Sequence, residues 1–267
     1  MMDVKSKYGE WALITGGTSG IGEEFAKQLA EKGLNIILVA RRQTLLDEKA
    51  FSLKNKYSVE VKTIQADLTK NEDIRKVMDG ADGLEVGLLI PCAGIENHGM
   101  ITRISLEKEL ALIQLNITTA YTLSHHFASK MVERKRGGIL FVSSMIGHMP
   151  NPYFANYAGS KAYILNLGMS LNGELKPHGI DVSVLSPGPT ETPMLNGSDM
   201  NVKDLPMSVQ KPDYVAKVGL DALGKKPVVI PGFKNNMMVS TTNMMPNKVA
   251  IKMGADMIAK VLDPDLL

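Results

Sequence analysis

The 267-residue chain predicts an α/β fold built on a doubly wound parallel sheet. Three observations predict it. Short apolar runs of strand length recur along the chain, and stretches of helical periodicity separate them. The first of these strands also passes through a glycine-rich turn straight into a helix.

The elements follow in order. A strand over 11–15 (WALIT) precedes a helix over 22–32, in which Phe25, Leu29 and Ala30 face inward while Glu23, Glu24, Lys27 and Glu31 stay in water. The run NIILVA at 35–40 is apolar throughout, as in strands covered on both faces. A helix over 45–56, a strand over 59–65 and a helix over 71–78 come next. The runs VGLLI, GILFVS and VSVLS mark strands over 87–91, 138–143 and 181–186, and a last strand lies at 227–230. Helical periodicity fills 105–133, 156–175 and 212–223. Such βα alternation folds with right-handed crossovers into a parallel sheet. With no internal repeat and no linker, residues 1–267 read as one domain.

Two regions break the rhythm. Residues 187–211 are rich in Pro, Gly, Ser and Asn and follow the carboxyl end of a strand, where such sheets bind ligands. A long loop there is expected to be a substrate lid. The C-terminal extension, 232–267, holds methionines at 237, 238, 244, 245, 253 and 257. Over 254–262, Ala255, Ile258, Ala259 and Leu262 oppose Lys252, Asp256 and Lys260, which reads first as a packing or interface helix. A greasy substrate pocket is the second reading, since Met adapts to irregular apolar ligands. Peripheral membrane contact is the third.

Composition narrows the function classes. The chain is 44% hydrophobic, and 30 Lys+Arg against 28 Asp+Glu leave a net charge of +2, which does not suit a nucleic-acid binder. A single cysteine, Cys92, rules out an internal disulfide. No apolar run reaches the ~18 residues of a membrane span. The amino-terminal residues carry no signal-type apolar stretch. A soluble, cytoplasmic protein is expected.

The turn after the first strand is Thr15-Gly16-Gly17-Thr18-Ser19-Gly20-Ile21-Gly22. Gly16 suits the tight turn, Gly20 a close approach to a pyrophosphate, and Gly22 close packing of helix on strand. The following helix start favours an anion. Where an acid would bond the adenosine ribose, the second strand ends in Ala40, followed by Arg41 and Arg42. Loss of the carboxylate and gain of a guanidinium fork suit a 2′-phosphate, so NADPH is expected over NADH. Asp67-Leu68 is placed to touch the adenine edge, although an Asp there also suits a helix cap.

Tyr157 and Lys161 form Y-x-x-x-K on one helix face, where an ammonium near the phenol is expected to pull its pKa down from ~10. A phenol so tuned exchanges a proton with a carbonyl or alcohol oxygen. Ser144, at the carboxyl edge of its strand, is placed to bond the same oxygen. Asn116 stands among Leu112, Ile113, Leu115 and Ile117, and on local grounds reads equally as a site residue or as a structural one, a helix kink or a buried amide satisfied by backbone.

Together, TGGTSGIG, Asp67-Leu68, Ala93-Gly94, Asn116, Ser144, YAGSK at 157–161 and PGPTET at 187–192 resemble the short-chain dehydrogenase/reductase family in order and spacing, across about residues 9–230. The resemblance implies a Rossmann-like sheet of about seven strands and NAD(P)-dependent carbonyl–alcohol chemistry. It makes Tyr157 the general acid/base and Lys161 both its modulator and a ligand of the nicotinamide ribose. It makes Ser144 the group that orients the carbonyl, and Asn116 the holder of a relay water. Pro187, Gly188, Thr190 and Thr192 would line the nicotinamide carboxamide, and the NADP-preferring branch fits Arg41 and Arg42. A homodimer or homotetramer packed through 105–133 and 156–175 is implied as well.

One departure stands out. Pro91-Cys92 replaces the family's usual Asn-Asn before Ala93-Gly94, so modified strand packing with intact cofactor binding is expected. Cys92 reads as a small buried residue rather than a reactive thiol. His148 is read as a substrate contact or a surface histidine, and Ile95-Glu96-Asn97-His98, at the mouth of the site, carries the same two readings. His125 and His126 lack companion ligands, so no metal site is expected. The expected function is NADPH-dependent reduction of a ketone, aldehyde or 3-oxoacyl group on a mainly apolar skeleton. The alternatives are a non-catalytic NADPH-binding regulator and an NAD-linked dehydrogenase of a hydroxy compound or steroid.

Overall fold

The computed structural model describes residues 4–197 and 207–262. Its parallel strands are β1 (Trp11–Thr15), β2 (Asn35–Ala40), β3 (Val61–Gln65), β4 (Val86–Pro91), β5 (Gly137–Val142), β6 (Ile180–Leu185) and β7 (Val228–Val229). They form one seven-stranded sheet in the order β3-β2-β1-β4-β5-β6-β7. The predicted strands agree with these to within two residues at each end. The order reverses between β1 and β4, which opens a crevice beyond their carboxyl ends.

Helices cover both faces. On one side α2 (Gly20–Glu31), α3 (Gln43–Tyr57) and α9 (Pro212–Ala222) bury Phe25, Leu29, Leu46, Leu53 and Val215 against Ala12, Ile14, Ile36 and Leu38. On the other, α4 (Asn71–Gly80), α6 (Ala120–Arg134) and α7 (Ala155–Leu175) bury Ile74, Val77, Leu123, Phe127 and Ile164 against Leu13, Ile37, Val39 and Phe141. Alternate residues of β1 and β2 therefore feed opposite layers, which is why both strands read as unbroken apolar runs.

Two helical expectations need correction. The stretch 105–133 is not one regular helix: α5 (Leu106–Ile113) passes through a wide π-turn, Gln114–Thr119, before α6 begins. The Thr119 hydroxyl shares its proton between Leu68 O at 2.7 Å and Gln114 O at 3.0 Å, which ties the widened turn to the segment after β3. The C-terminal helix runs over α11 (Asn247–Ile258) rather than 254–262, and α10 (Phe233–Asn243) precedes it unpredicted. The short helices α1 (Val4–Tyr8) and α8 (Pro193–Asn196) were not foreseen either. Of the expected lid, residues 198–206 lie outside the described residues.

Pro91 closes β4 and pairs with Thr15 of β1. β4 meets β5 through Leu88↔Gly138 and Leu89↔Ile139, whereas β5 stays in register with β6 from Gly137↔Ile180 to Val142↔Leu185. Pro91 has no amide proton with which to extend the ladder to β5. Among the described residues, no helix is long and apolar enough to cross a membrane.

Candidate active site

A cavity of about 420 Å³ lies along the carboxyl ends of the strands. At one end stands the turn between β1 and α2. Gly16 adopts φ +68°, and its amide donates to Val39 O at 2.9 Å. A side chain at Gly22 would put its Cβ 2.3 Å from Gly16 O, so the helix can begin against the turn only with glycine there. Ser19 caps α2 without a side-chain hydrogen bond, and Gly20, Ile21 and Gly22 line the cavity. Uncapped first-turn amides at a positive dipole end fit a phosphate of a bound dinucleotide. Thr18 and Ser19 line the same wall.

Arg41 and Arg42 flank this end, together with Asp67 and Leu68. The Asp67 carboxylate accepts from Thr69 N (3.2 Å) and Thr69 Oγ1 (2.8 Å), which folds its own turn instead of capping α4. Burial works to raise the Asp67 pKa, but those hydrogen bonds and the charges of Arg41 and Lys70 hold it below the ordinary value.

The middle of the cavity is the edge of β4. Ala93 N donates to Thr15 Oγ1 at 3.0 Å, so the Ala93-Gly94 backbone is fixed against β1 without the usual asparagines. Cys92 is half-buried, and desolvation pushes its thiol up to about 11 against the pull of Lys161.

Asn116 is the one predicted site residue that does not line the cavity. Only 3% exposed, it sits in the π-turn and clamps the next segment. Its Oδ1 accepts from Ile95 N at 3.0 Å, and its Nδ2 donates to Ile95 O at 2.9 Å and to Ser160 Oγ at 3.1 Å. The helix irregularity and the backbone-satisfied amide of the structural reading are both present. The side-chain amide is thus engaged with Ile95 and Ser160.

α7 carries Tyr157 and Lys161 one turn apart, both buried. Lys161 Nζ donates to Val142 O at 3.0 Å and lies 5.6 Å from the Tyr157 ring centroid. Burial pulls Lys161 down to about 8, with Cys92 and Glu96 opposing. The expected lowering of the Tyr157 pKa is not what this environment produces. Burial pushes the phenol up, negative charge at Glu96 adds to the rise, and a hydrogen bond with Ser144 works downward. Ser144 Oγ has long contacts, 3.4 Å to Pro187 O and 3.4 Å from Ile146 N, which leave it able to turn to a substrate.

Pro187, Gly188, Thr190 and Thr192 close the far wall. Thr190 Oγ1 donates to Gly188 O at 2.9 Å, and Thr192 caps α8 by accepting from Leu195 N. Beyond them the cavity turns apolar, with Met145, Ile146, Met149, Phe154, Met194, Met207, Met238 and Met257. Two of these come from α10 and α11, so the methionine-rich segment contributes to the pocket. The methionine density was the available signal, and it had been read first as packing. His148 does not line the cavity. It is half-buried with its Nε2 3.0 Å from Ser186 Oγ, and burial lowers its pKa.

Glu96 also lines the cavity. Its Oε1 is buried and has no hydrogen-bond partner among the described residues, and burial raises the carboxyl to about 7 against the pull of Lys161. Among the described residues no three His, Cys, Asp or Glu side chains gather as a metal site.

Comparison with known proteins bears on this architecture. A family model for short chain dehydrogenases matches residues 10–202. A 7β-hydroxysteroid dehydrogenase of Mediterraneibacter gnavus is 31% identical over 247 residues, 89% of this chain and 92% of its own. A very-long-chain 3-oxoacyl-CoA reductase of Podospora anserina is 39% identical over 181 residues, 66% of this chain and 53% of its own. Among solved structures, a 7β-hydroxysteroid dehydrogenase superposes with a TM-score of 0.87 at 29% identity, covering 95% of this chain and 99% of that one. A Sphingobium yanoikuyae short-chain dehydrogenase in complex with NADPH gives a TM-score of 0.79 at 29% identity, covering 89% and 96%. The shared sheet order, the glycine turn at the reversal point and the buried Tyr–Lys pair have one explanation: this chain belongs to the short-chain dehydrogenase family of oxidoreductases.

Proposed function

We propose that the protein reduces the carbonyl of a bulky, mainly apolar ketone with NADPH as the cofactor. The observation that carries this reading is one continuous cavity. It has an uncapped helix start and Arg41-Arg42 at one end, Ser144, Tyr157 and Lys161 in the middle, and methionine walls beyond. Ala40 offers no carboxylate to repel a 2′-phosphate, and two guanidinium groups stand beside it. The steroid and long-chain acyl substrates named for the relatives share the apolar bulk that such walls accept.

Bound along the cavity, the dinucleotide supplies the hydride. The side chains do the rest. The raised pKa of Tyr157 keeps the phenol protonated, as a donor to the carbonyl oxygen must be. Ser144 donates a second hydrogen bond to that oxygen as charge develops on it. Lys161 acts as a cation behind the phenol and stabilises the phenolate left when the proton has gone. Thr190 and Thr192 and the Ala93-Gly94 backbone hold the nicotinamide end. Exposed Leu106, Leu110 and Tyr121 on α5 and α6, with Tyr163 on α7, support a homodimer or homotetramer.

The test is loss of reduced-nicotinamide absorbance against a panel of bulky ketones, aldehydes and 3-oxoacyl thioesters, with NADPH and NADH in parallel. Turnover with NADPH should fall by about 10²–10⁴-fold in Tyr157→Phe, the contribution of a positioned acid, while NADPH still binds. Tight NADPH binding with no turnover of any carbonyl would replace this reading with the regulator.

A further inference from the structure

The cavity wall beyond the Tyr–Lys pair is almost wholly apolar, and one carboxylate interrupts it. Glu96 lines the same cavity as Tyr157, and its Oε1 is buried with no hydrogen-bond partner among the described residues. Other partly buried carboxylates have cations: Glu23 meets Lys27 and Lys49, and Glu85 meets Arg136. Leaving a buried acceptor without a donor costs free energy that packing does not return.

Nor is Glu96 on a loop free to swing out. The residue before it is pinned by Asn116 through both its N–H and its C=O, so the backbone that carries Glu96 is fixed relative to the π-turn. The nearby cation, Lys161, donates its hydrogen bond to Val142 O. A rigid, partnerless acceptor in a substrate cavity is the arrangement that selects a donor-bearing ligand. Glu96 borders the same cavity as Ser144, Tyr157 and Lys161, which puts that donor on the side of the reacting carbonyl.

We infer that Glu96 is a substrate-recognition residue whose carboxylate accepts a hydrogen bond from a substrate hydroxyl one or two carbons from the reacting carbonyl, so that the site takes hydroxyketones on an apolar skeleton. This rests on the ketone-reductase reading for the identity of the reaction, but the subsite is measurable by binding alone.

The test is calorimetric titration of the protein saturated with NADP⁺, in which no reduction takes place. The probes are two matched pairs: acetophenone against 2-hydroxyacetophenone, and propiophenone against 3-hydroxypropiophenone. Wild type should bind one hydroxyketone about tenfold or more tightly than its parent, as a charge-assisted hydrogen bond implies. Glu96→Leu should bring that ratio to within about twofold, and Glu96→Gln, which keeps a neutral acceptor, should fall between. Equal affinity within both pairs for wild type, or a preference that survives in Glu96→Leu, overturns the inference. Binding preference without NADPH turnover of any probe would remove the reductase reading and leave the subsite standing. Turnover of both members of each pair without preference would do the reverse.

Discussion

Replacing Asn116 with Ala tests whether this side chain is the structural clamp between the π-turn and the cavity edge. The variant removes three hydrogen bonds, at 3.0 Å from Ile95 N, 2.9 Å to Ile95 O and 3.1 Å to Ser160 Oγ. Ser160 Oγ keeps its donation to Tyr157 O at 2.7 Å, so it is not orphaned. The Ile95 N–H and C=O are. A buried unsatisfied group costs about 1–3 kcal/mol, and because Ile95 is only half-buried the lower part of that range applies, giving about 2–3 kcal/mol for the pair. For a chain of this length about 2 °C accompanies each kcal/mol, so the midpoint should fall by about 4–6 °C. Urea and thermal unfolding measure it, with Asn166→Ala as control. Asn166 lies on an exposed face and bonds Ala162 O one turn back, so its loss should register below about 0.5 kcal/mol. If Asn116→Ala unfolds within about 0.5 kcal/mol of wild type, the clamp reasoning is wrong.

Three further outcomes are expected. Arg41→Ala should weaken NADPH binding about tenfold or more with little effect on NADH, and Arg41→Asp should reverse the preference; an unchanged NADPH Kd in Arg41→Ala removes the cofactor assignment. Glu96, whose carboxyl stands at about 7 in the folded state against an ordinary 4.5, binds more protons folded than unfolded between those values, so wild type should lose stability as pH rises across that window. Glu96→Gln should be more stable than wild type by at most about 3 kcal/mol near pH 8 and by about nothing near pH 4.5, and equal curves in urea at both would refute it. Wild type should sediment as a dimer or tetramer at about micromolar concentration, and Leu106→Glu with Leu110→Glu, at positions 72% and 54% exposed, should give a monomer; a monomeric wild type ends the oligomer proposal.

Much of the sheet was legible because strands buried on both faces leave unbroken apolar runs, as NIILVA does in β2. The glycine turn was legible because Gly22 must sit against the Gly16 carbonyl, and only one residue type can. The π-turn was not, because one extra residue in a wide turn leaves apolar positions on both sides of Asn116 in passable helical register. α11 was misplaced for a related reason. Its inward stripe, Ala250, Gly254 and Ile258, contains a glycine that packs near Pro150 O and Pro152, and a glycine carries no apolar signal. The Tyr–Lys pair was found by its spacing, but the upward push on the phenol depends on burial, which spacing does not report. His148 likewise offered no hint that it would turn toward Ser186.

The thioether wall of the cavity makes the site chemically soft. Met145, Met149, Met194, Met207, Met238 and Met257 all border it. Peroxide converts a thioether to a sulfoxide, adding an S=O dipole and a stereocentre where the surface had been greasy and pliant. Ser144, Tyr157 and Lys161 have no sulfur and would pass through such treatment unchanged. Oxidative damage here would therefore register first as lost grip on the hydrocarbon part of a substrate, with the proton-transfer machinery intact, and methionine sulfoxide reductases would restore it.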